Sequence, residues 1–177
     1  MEEQSMYTWH HGFWIYFFAR KHPKVWQFVA GSMLPDYIYL VLLAMMLGKG
    51  QLQFTELLKL NPKIMMSYLP LYPWASEIDL LGHSVIIWSA AFLITLFPGF
   101  RVLQAFVIGW GTHLLIDGLT HGAFANFWLY PLSSNTIISP VSYWEQDYYS
   151  REFQIVNGTL MALCASYLLY NYFKRRK

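Results

Sequence analysis

The sequence predicts an all-α protein, a membrane-embedded bundle of about five helices. Hydrophobic residues make up 56% of the 177 residues and charged residues only 12%, whereas charged residues average about 25% in soluble domains. Four apolar runs approach the roughly 20 residues that a helix needs to cross the hydrocarbon of a bilayer. The runs show no alternation with a period of two, which argues against strands.

Five apolar runs define the predicted helices in chain order. A short aromatic run is followed by four longer ones, and the five cover residues 7–20, 25–47, 78–97, 100–119 and 152–173. The second run is interrupted at Gly31 and at Pro35, and Pro98 begins the tight break between the third and the fourth. Residues 48–77 are predicted to be a polar, proline-containing connection, and residues 120–151 a loop region.

Length, charge and cysteine content narrow the class further. We expect residues 1–177 to form a single integral-membrane helical domain, since domains usually have about 100–200 residues. The formal charge of +2 provides no field that would attract nucleic acid, so none is expected as a partner. Cys164 is the only cysteine, which excludes an intramolecular disulfide and a cysteine zinc cage.

The positions of Lys and Arg predict a multi-pass protein of a bacterial-type inner (cytoplasmic) membrane. Alternating helices place eight basic residues on one side of the bundle and four on the other. The richer side is expected to be cytoplasmic. It holds Arg20, Lys21, Lys24, Arg101 and residues 174–177, against Lys49, Lys59, Lys63 and Arg151.

The ionisable residues deep inside the apolar runs are His and Asp. Such groups are costly at membrane depth and indicate a function or a buried partner. Imidazole and carboxylate are also common metal ligands. The candidate metal ligands are His10, His11, Asp36, His83, His113, Asp117 and His121.

Counting along straight helices brings these candidates to one depth. At a rise of about 1.5 Å per residue, His10, His11, Asp36, His83 and His113 lie roughly 14–21 Å from the same end of the bundle, and Asp117 lies one turn farther. The sequence therefore predicts one shared site, so that the bundle is built around a metal centre.

Local spacing supports this site on the fourth run. His113 and Asp117 are four residues apart, so they share a helix face and can bind one ion. His121 would extend that stripe if the helix continued through Gly118. The glycines that would let neighbouring helices approach closely are Gly109, Gly111 and Gly118.

Other polar residues have different expected places. His10 and His11 point about 100° apart on a helix, so only one is expected to face inward, and the spacing leaves open which one. His22 lies in a basic stretch and is expected to be solvated. Glu77 and Asp79 are expected to be interfacial, at the start of a helix where the dipole favours acids.

Four motifs in the chain resemble a known family. They are Gly31-Ser32-Met33-Leu34-Pro35-Asp36, Gly82-His83-Ser84, His113 to His121 and Trp128-Leu129-Tyr130-Pro131-Leu132. Together they resemble the LexA-binding, inner-membrane-associated metal-dependent hydrolases. More distantly, their order resembles the bacterial zinc-dependent phospholipases C. The resemblance spans about residues 10–132 and implies a zinc-dependent hydrolase of the phospholipase type.

A mechanism follows when this implied activity is combined with the chemistry of the residues. The first ion would be held by Asp36, His83, His113 and Asp117. Asp117 could bridge to a second ion held by His10 or His11 together with His121, with Zn²⁺ the expected metal and another divalent metal the alternative. Water beside such an ion becomes a nucleophile at neutral pH. Asp36 and Asp117 are the expected catalytic residues, and whether Asp36 binds metal or acts as the base stays open.

A site in the membrane layer favours an amphiphilic substrate, such as a phospholipid or an isoprenyl phosphate, and hydrolysis of its phosphoester. An intramembrane protease is less favoured, since no His-Glu-x-x-His motif is present. Two alternatives use the same residues differently. In a metal or proton transporter they would line a pathway, and in a membrane interaction protein they would form a structural metal site.

Overall fold

The computed structural model describes residues 8–60, 62–122 and 128–176, and it confirms the all-α class. Tyr7, the first residue of the first run, and Lys177, the last of the C-terminal basic residues, lie outside the described residues. Within them there are no strands and eight α-helices rather than about five. They are α1 Thr8–Ala19, α2 Val25–Ser32, α3 Tyr37–Gly48, α4 Pro62–Tyr68, α5 Pro73–Gly82, α6 Val85–Ile94, α7 Gln104–Thr120 and α8 Ser150–Lys174.

Two of the predicted straight helices are broken, and the breaks hold two of the candidate ligands. α2 and α3 are bent by 64° where Pro35, which lacks a backbone donor, precedes Asp36. α5 and α6 are bent by 62° at His83 and Ser84, and the Ser84 side chain caps α6 by accepting a hydrogen bond from the Ile87 amide at 3.1 Å. The straight-helix count of depth did not include these two bends.

The predicted polar connection between residues 48 and 77 is largely helical. It contains a 3₁₀ turn at Phe54–Lys59, then α4, a short 3₁₀ turn and the start of α5. This segment returns over α3 and buries the α3 face together with its own apolar residues. The buried cluster consists of Ile38, Leu42, Met46, Leu52, Met65, Leu69 and Ala75.

Glycines let α2 and α7 pack with their backbones in contact. A Cβ atom built on Gly31 would lie 1.9 Å from the Phe106 carbonyl oxygen, and one on Gly109 would lie 2.1 Å from that of Phe28. The other two predicted glycines of α7 lie against tryptophan rings in the same way. The expected close approach to this helix is thus confirmed, and it holds His113 and Asp117 against the preceding helices.

The structure allows two to four membrane crossings, fewer than the five helices of the predicted bundle. Among the described residues, two helical segments are long and apolar enough to span a bilayer: Pro98–Thr120, which ends in α7, and α8. Counting each bent pair as one crossing raises the total to four at most. α1 has only 12 residues, or about 18 Å of helix, which is too short for a straight crossing.

Candidate metal centre

α7 carries two of the candidate ligands, His113 and Asp117. His113 Nε2 lies 3.0 Å from Asp117 Oδ2, and both side chains are buried. The other ring nitrogen of His113, Nδ1, lies 2.8 Å from the carbonyl oxygen of Ser32. An Nδ1–H that donates to this carbonyl leaves the Nε2 lone pair directed at Asp117, which is the arrangement that metal-binding histidines commonly have.

The two helix breaks bring Asp36 and His83 to the same pair. His83 Nε2 lies 3.3 Å from His113 Nε2 and 3.6 Å from Asp117 Oδ2. Asp36 Oδ1 lies 3.7 Å from Nε2 of both histidines. The four side chains that the sequence proposed for a first ion therefore lie together.

The spacing of these donor atoms fits a zinc ion. Tetrahedral zinc with ligands at about 2.0–2.2 Å keeps neighbouring ligand atoms about 3.4 Å apart. The five separations that involve a histidine run from 3.0 to 3.7 Å. Two imidazoles and two carboxylates are also ligands that zinc accepts. Residues present and spacing thus agree with the metal.

Of the two adjacent N-terminal histidines, His11 has its ring in the cluster. Its Nε2 lies 3.5 Å from Asp117 Oδ1, and its ring stacks on His113 with centroids 4.0 Å apart. Burial lowers the pKa of His11 to about 3, so the ring is neutral at pH 7. Its buried Nδ1 has no hydrogen-bond partner among the described residues. His10 is only half-buried and packs edge-on against Trp9.

His121 reaches the site from beyond the end of the helix. α7 ends at Thr120, and His121 has an extended backbone, so the predicted helical stripe does not continue. His121 Nδ1 lies 3.0 Å from the Asp117 carbonyl oxygen and 3.8 Å from Asp117 Oδ1, while Nε2 lies 3.0 Å from the Tyr143 hydroxyl. Both ring nitrogens therefore already have protein partners, and burial lowers the pKa of this imidazole.

Two residues near the site were missed or misplaced by sequence reasoning. Asp79, expected at an interface, has its Oδ1 3.3 Å from His83 Nδ1 and its carbonyl oxygen 2.8 Å from the same atom. Its position four residues before His83 was a usable signal, since it repeats the spacing of His113 and Asp117. Tyr143 lies in the loop region, and no local pattern connects it to His121.

A cavity of about 480 Å³ opens beside the cluster. Its walls include Asp36, Asp79, His83, Asp117 and His121. Among the four donor residues Asp36 has the most exposed side chain, 16% against 12% or less for the others. Asp36 therefore forms the corner of the cluster that faces the cavity. His22 is exposed, in agreement with its predicted solvation, whereas Glu77 is exposed in the middle of α5 rather than at the start of a helix.

A comparison with known proteins gives a match over the region that contains most of these residues. No curated protein and no solved structure matches the chain. The comparisons give no support to the resemblance to the LexA-binding membrane hydrolases. Residues 21–155 match the family described as zinc dependent phospholipase C, a region that holds Asp36, His83, His113, Asp117 and His121 and excludes His11. The more distant of the two resemblances is thus the one supported, and the chain belongs to the zinc-dependent phospholipase C family.

Proposed function

We propose that this protein is an integral-membrane, zinc-dependent hydrolase that cleaves the phosphoester of a lipid or another amphiphilic substrate. The observation that carries the proposal is a cluster beside a cavity in which Nε2 of His83 and of His113 each lie 3.0–3.7 Å from the other three donor atoms. The family match supports zinc and a phospholipase-like activity. The ligands in this proposal are His83, His113 and Asp117, and Asp36 lies beside them as the general base.

Each side chain has a role that its position supports. When bound, zinc lowers the pKa of water in its open position and offsets negative charge on a phosphoryl oxygen. Asp36 faces the cavity, so its carboxylate is placed to take a proton from that water. The Ser32 carbonyl orients His113 and the main-chain carbonyl of Asp79 orients His83, each through the nitrogen that points away from the cluster.

Asp117 also offers an arrangement for two ions. Oδ2 lies beside His113 and His83, whereas Oδ1 lies beside His11. One carboxylate would then bridge the first ion and a second one held with His11. We expect two zinc ions per chain in metal analysis, and His11→Ala should remove one of them.

Placement in the membrane is supported by α8. Its side chains are apolar and exposed over most of its length, including Ile155, Val156, Leu160, Leu163 and Leu169. Water would solvate this surface poorly, whereas lipid would cover it without cost. Retention in the membrane pellet after carbonate treatment tests this part, and release without detergent would contradict it.

The activity is tested with detergent-purified, zinc-loaded protein. A panel of phospholipids and isoprenyl phosphates is assayed for release of phosphate or head group. Turnover that is lost in Asp36→Asn and kept in His22→Ala supports the proposal, since His22 is exposed and remote in its contacts. Stoichiometric zinc in a closed shell without turnover would indicate a structural site, and metal flux in liposomes would indicate a transporter.

A further inference from the structure

We infer that the cavity beside the metal centre binds one hydrocarbon chain of the substrate, so that a single-chain amphiphile is sufficient for recognition. This inference rests on the proposed function in one respect, namely that the phosphoester lies at Asp36 and His83. It adds a binding site formed by α3, α4 and the 3₁₀ turn between them.

The walls of the cavity divide into a polar part and an apolar part. The polar part belongs to the metal cluster and its immediate neighbours. The remaining wall comes chiefly from α3 and from the returning segment that covers it. It is formed by Leu40, Leu43, Leu57, Leu60, Met65 and Met66, together with Trp9 and Met33. An amphiphile would satisfy both parts at once, with its charged group at the cluster.

The size of the cavity favours one chain rather than two. Its volume of about 480 Å³ lies in the range of pockets that bury one drug-sized ligand, roughly 300–1,000 Å³. A single chain of about a dozen carbons with its phosphate is a ligand of that size. A phospholipid with two long chains is much larger, and its second chain would have to remain outside.

Side-chain character and access agree with a flexible apolar ligand. Methionine side chains adapt to irregular shapes, and Met33, Met65 and Met66 contribute three of them to the wall. Leu40 lines the cavity although 55% of it is exposed, so it lies at the mouth. The neighbouring Val41 is 54% exposed and does not line the cavity. A chain can therefore enter beside Leu40 from the apolar surroundings of α3.

The test uses a twelve-carbon alkylphosphonate with a diazirine at the end of its chain. Zinc-loaded protein in lipid nanodiscs is irradiated with this probe, and the labelled peptides are mapped by mass spectrometry. We expect the label in residues 39–66. A diazirine fatty alcohol without the phosphonate serves as the reference for labelling by ordinary contact with lipid.

A matched pair of variants tests the mouth of the cavity. Leu40→Trp should lower the labelling of residues 39–66 by about tenfold, because an indole occupies much of the space that the chain would fill. Val41→Trp adds the same ring at equal exposure outside the cavity and should leave the labelling unchanged. Leu43→Trp blocks the wall further in, and its zinc content and near-ultraviolet circular dichroism report whether it is folded.

The outcomes separate this inference from the proposed function. Labelling of residues 39–66 that depends on Leu40 supports the chain site even if no lipid phosphate is hydrolysed. A different result is that the phosphonate probe labels α8 in the same pattern as the fatty alcohol, with hydrolysis unchanged in Leu40→Trp and in folded Leu43→Trp. That result overturns the chain site and leaves the proposed hydrolase activity intact. Equal loss of label in Leu40→Trp and Val41→Trp would also contradict it.

Discussion

The segment Pro98–Thr120, which ends in α7, and α8 have equal mean hydropathy, yet one is packed inside the protein and the other lies on its surface. The segment that ends in α7 and α8 itself have the same peak hydropathy, 1.3. Of the apolar window in each, 39% is buried in the first and 6% in the second. Hydropathy measures how well a helix tolerates an apolar environment. It does not tell whether protein or lipid supplies that environment.

Small residues and buried polar residues account for the difference. On α7, Gly109 admits the backbone of α2, and His113 and Asp117 face the resulting interface. On α8, a Cβ atom at Gly158 would meet nothing within 4 Å. A helix that carries glycines at a crossing and a His/Asp pair on one face is therefore a centre of packing, whereas α8 presents apolar side chains outward.

The largest effect is expected from removing the carboxylate of α7. Asp117 lies within 3.8 Å of four histidines. Loss of a residue that only orients a metal ligand costs up to about 100-fold, so Asp117→Ala, which removes a ligand, should lower hydrolysis by more than that. Its zinc content should fall as well. Glu152→Ala on α8 is the control and should keep both. Full zinc content in Asp117→Ala would contradict the assignment.

Asp36→Asn tests whether Asp36, at the bend between α2 and α3, acts as the general base or as a zinc ligand. An amide cannot accept the proton of the attacking water, so turnover should drop by about 10²–10⁴-fold. Zinc should stay bound because His83, His113 and Asp117 remain. Kinetics and metal analysis on the same preparation check this. Equal losses of zinc and activity would instead make Asp36 a ligand.

Leu163→Asp tests the outward face of α8. Leu163 is 62% exposed near the middle of this helix, so an Asp there should cost about 2.5–3.5 kcal/mol of insertion if the surroundings are lipid. The fraction of protein resistant to carbonate extraction should fall relative to Leu163→Ala. Equal fractions for the two variants would mean that this face does not contact hydrocarbon.

Gly109→Ala and Gly158→Ala compare the packing of the two helices directly. The added methyl group at Gly109 would overlap the Phe28 carbonyl, which should cost about 1–3 kcal/mol of stability. At Gly158 the same change has free space and should be neutral or stabilising by up to about 1 kcal/mol. Thermal melting in detergent measures both. A stable Gly109→Ala protein would argue against direct backbone contact.

The smallest effect is expected at Asp79, which contacts a candidate ligand and orients it. Asp79→Asn should weaken zinc binding by about tenfold at most, the lower range for such partners, because it removes the charge 3.3 Å from His83 Nδ1 but keeps the main-chain carbonyl at 2.8 Å. Zinc titration against a chelator measures the change. Glu77→Gln, two residues earlier and exposed, is the matched control. Identical affinities in the two variants would remove Asp79 from the site.

The candidate ligands come together as the sequence predicted, two of them at helix bends that the straight-helix count did not include. Pro35 was noted as an interruption, but the 64° bend depends on how α3 packs under the returning segment. The turn at His83 contains no proline, and Gly82 and Ser84 alone do not predict a 62° bend. The side chains still converge, because a break in each pair directs one residue toward α7.

The sequence by itself determined the helical class, the His and Asp residues that come together and the pairing of His113 with Asp117, because composition and a spacing of four residues act locally. It could not choose between His10 and His11 or place Tyr143 beside His121. Nor could it show that Leu52, Met65 and Leu69 cover α3, or that Leu57, Leu60 and Met65 line the cavity. Those features belong to the tertiary structure alone. They depend on packing between segments far apart in the chain, where glycine contacts and helix breaks decide which faces meet.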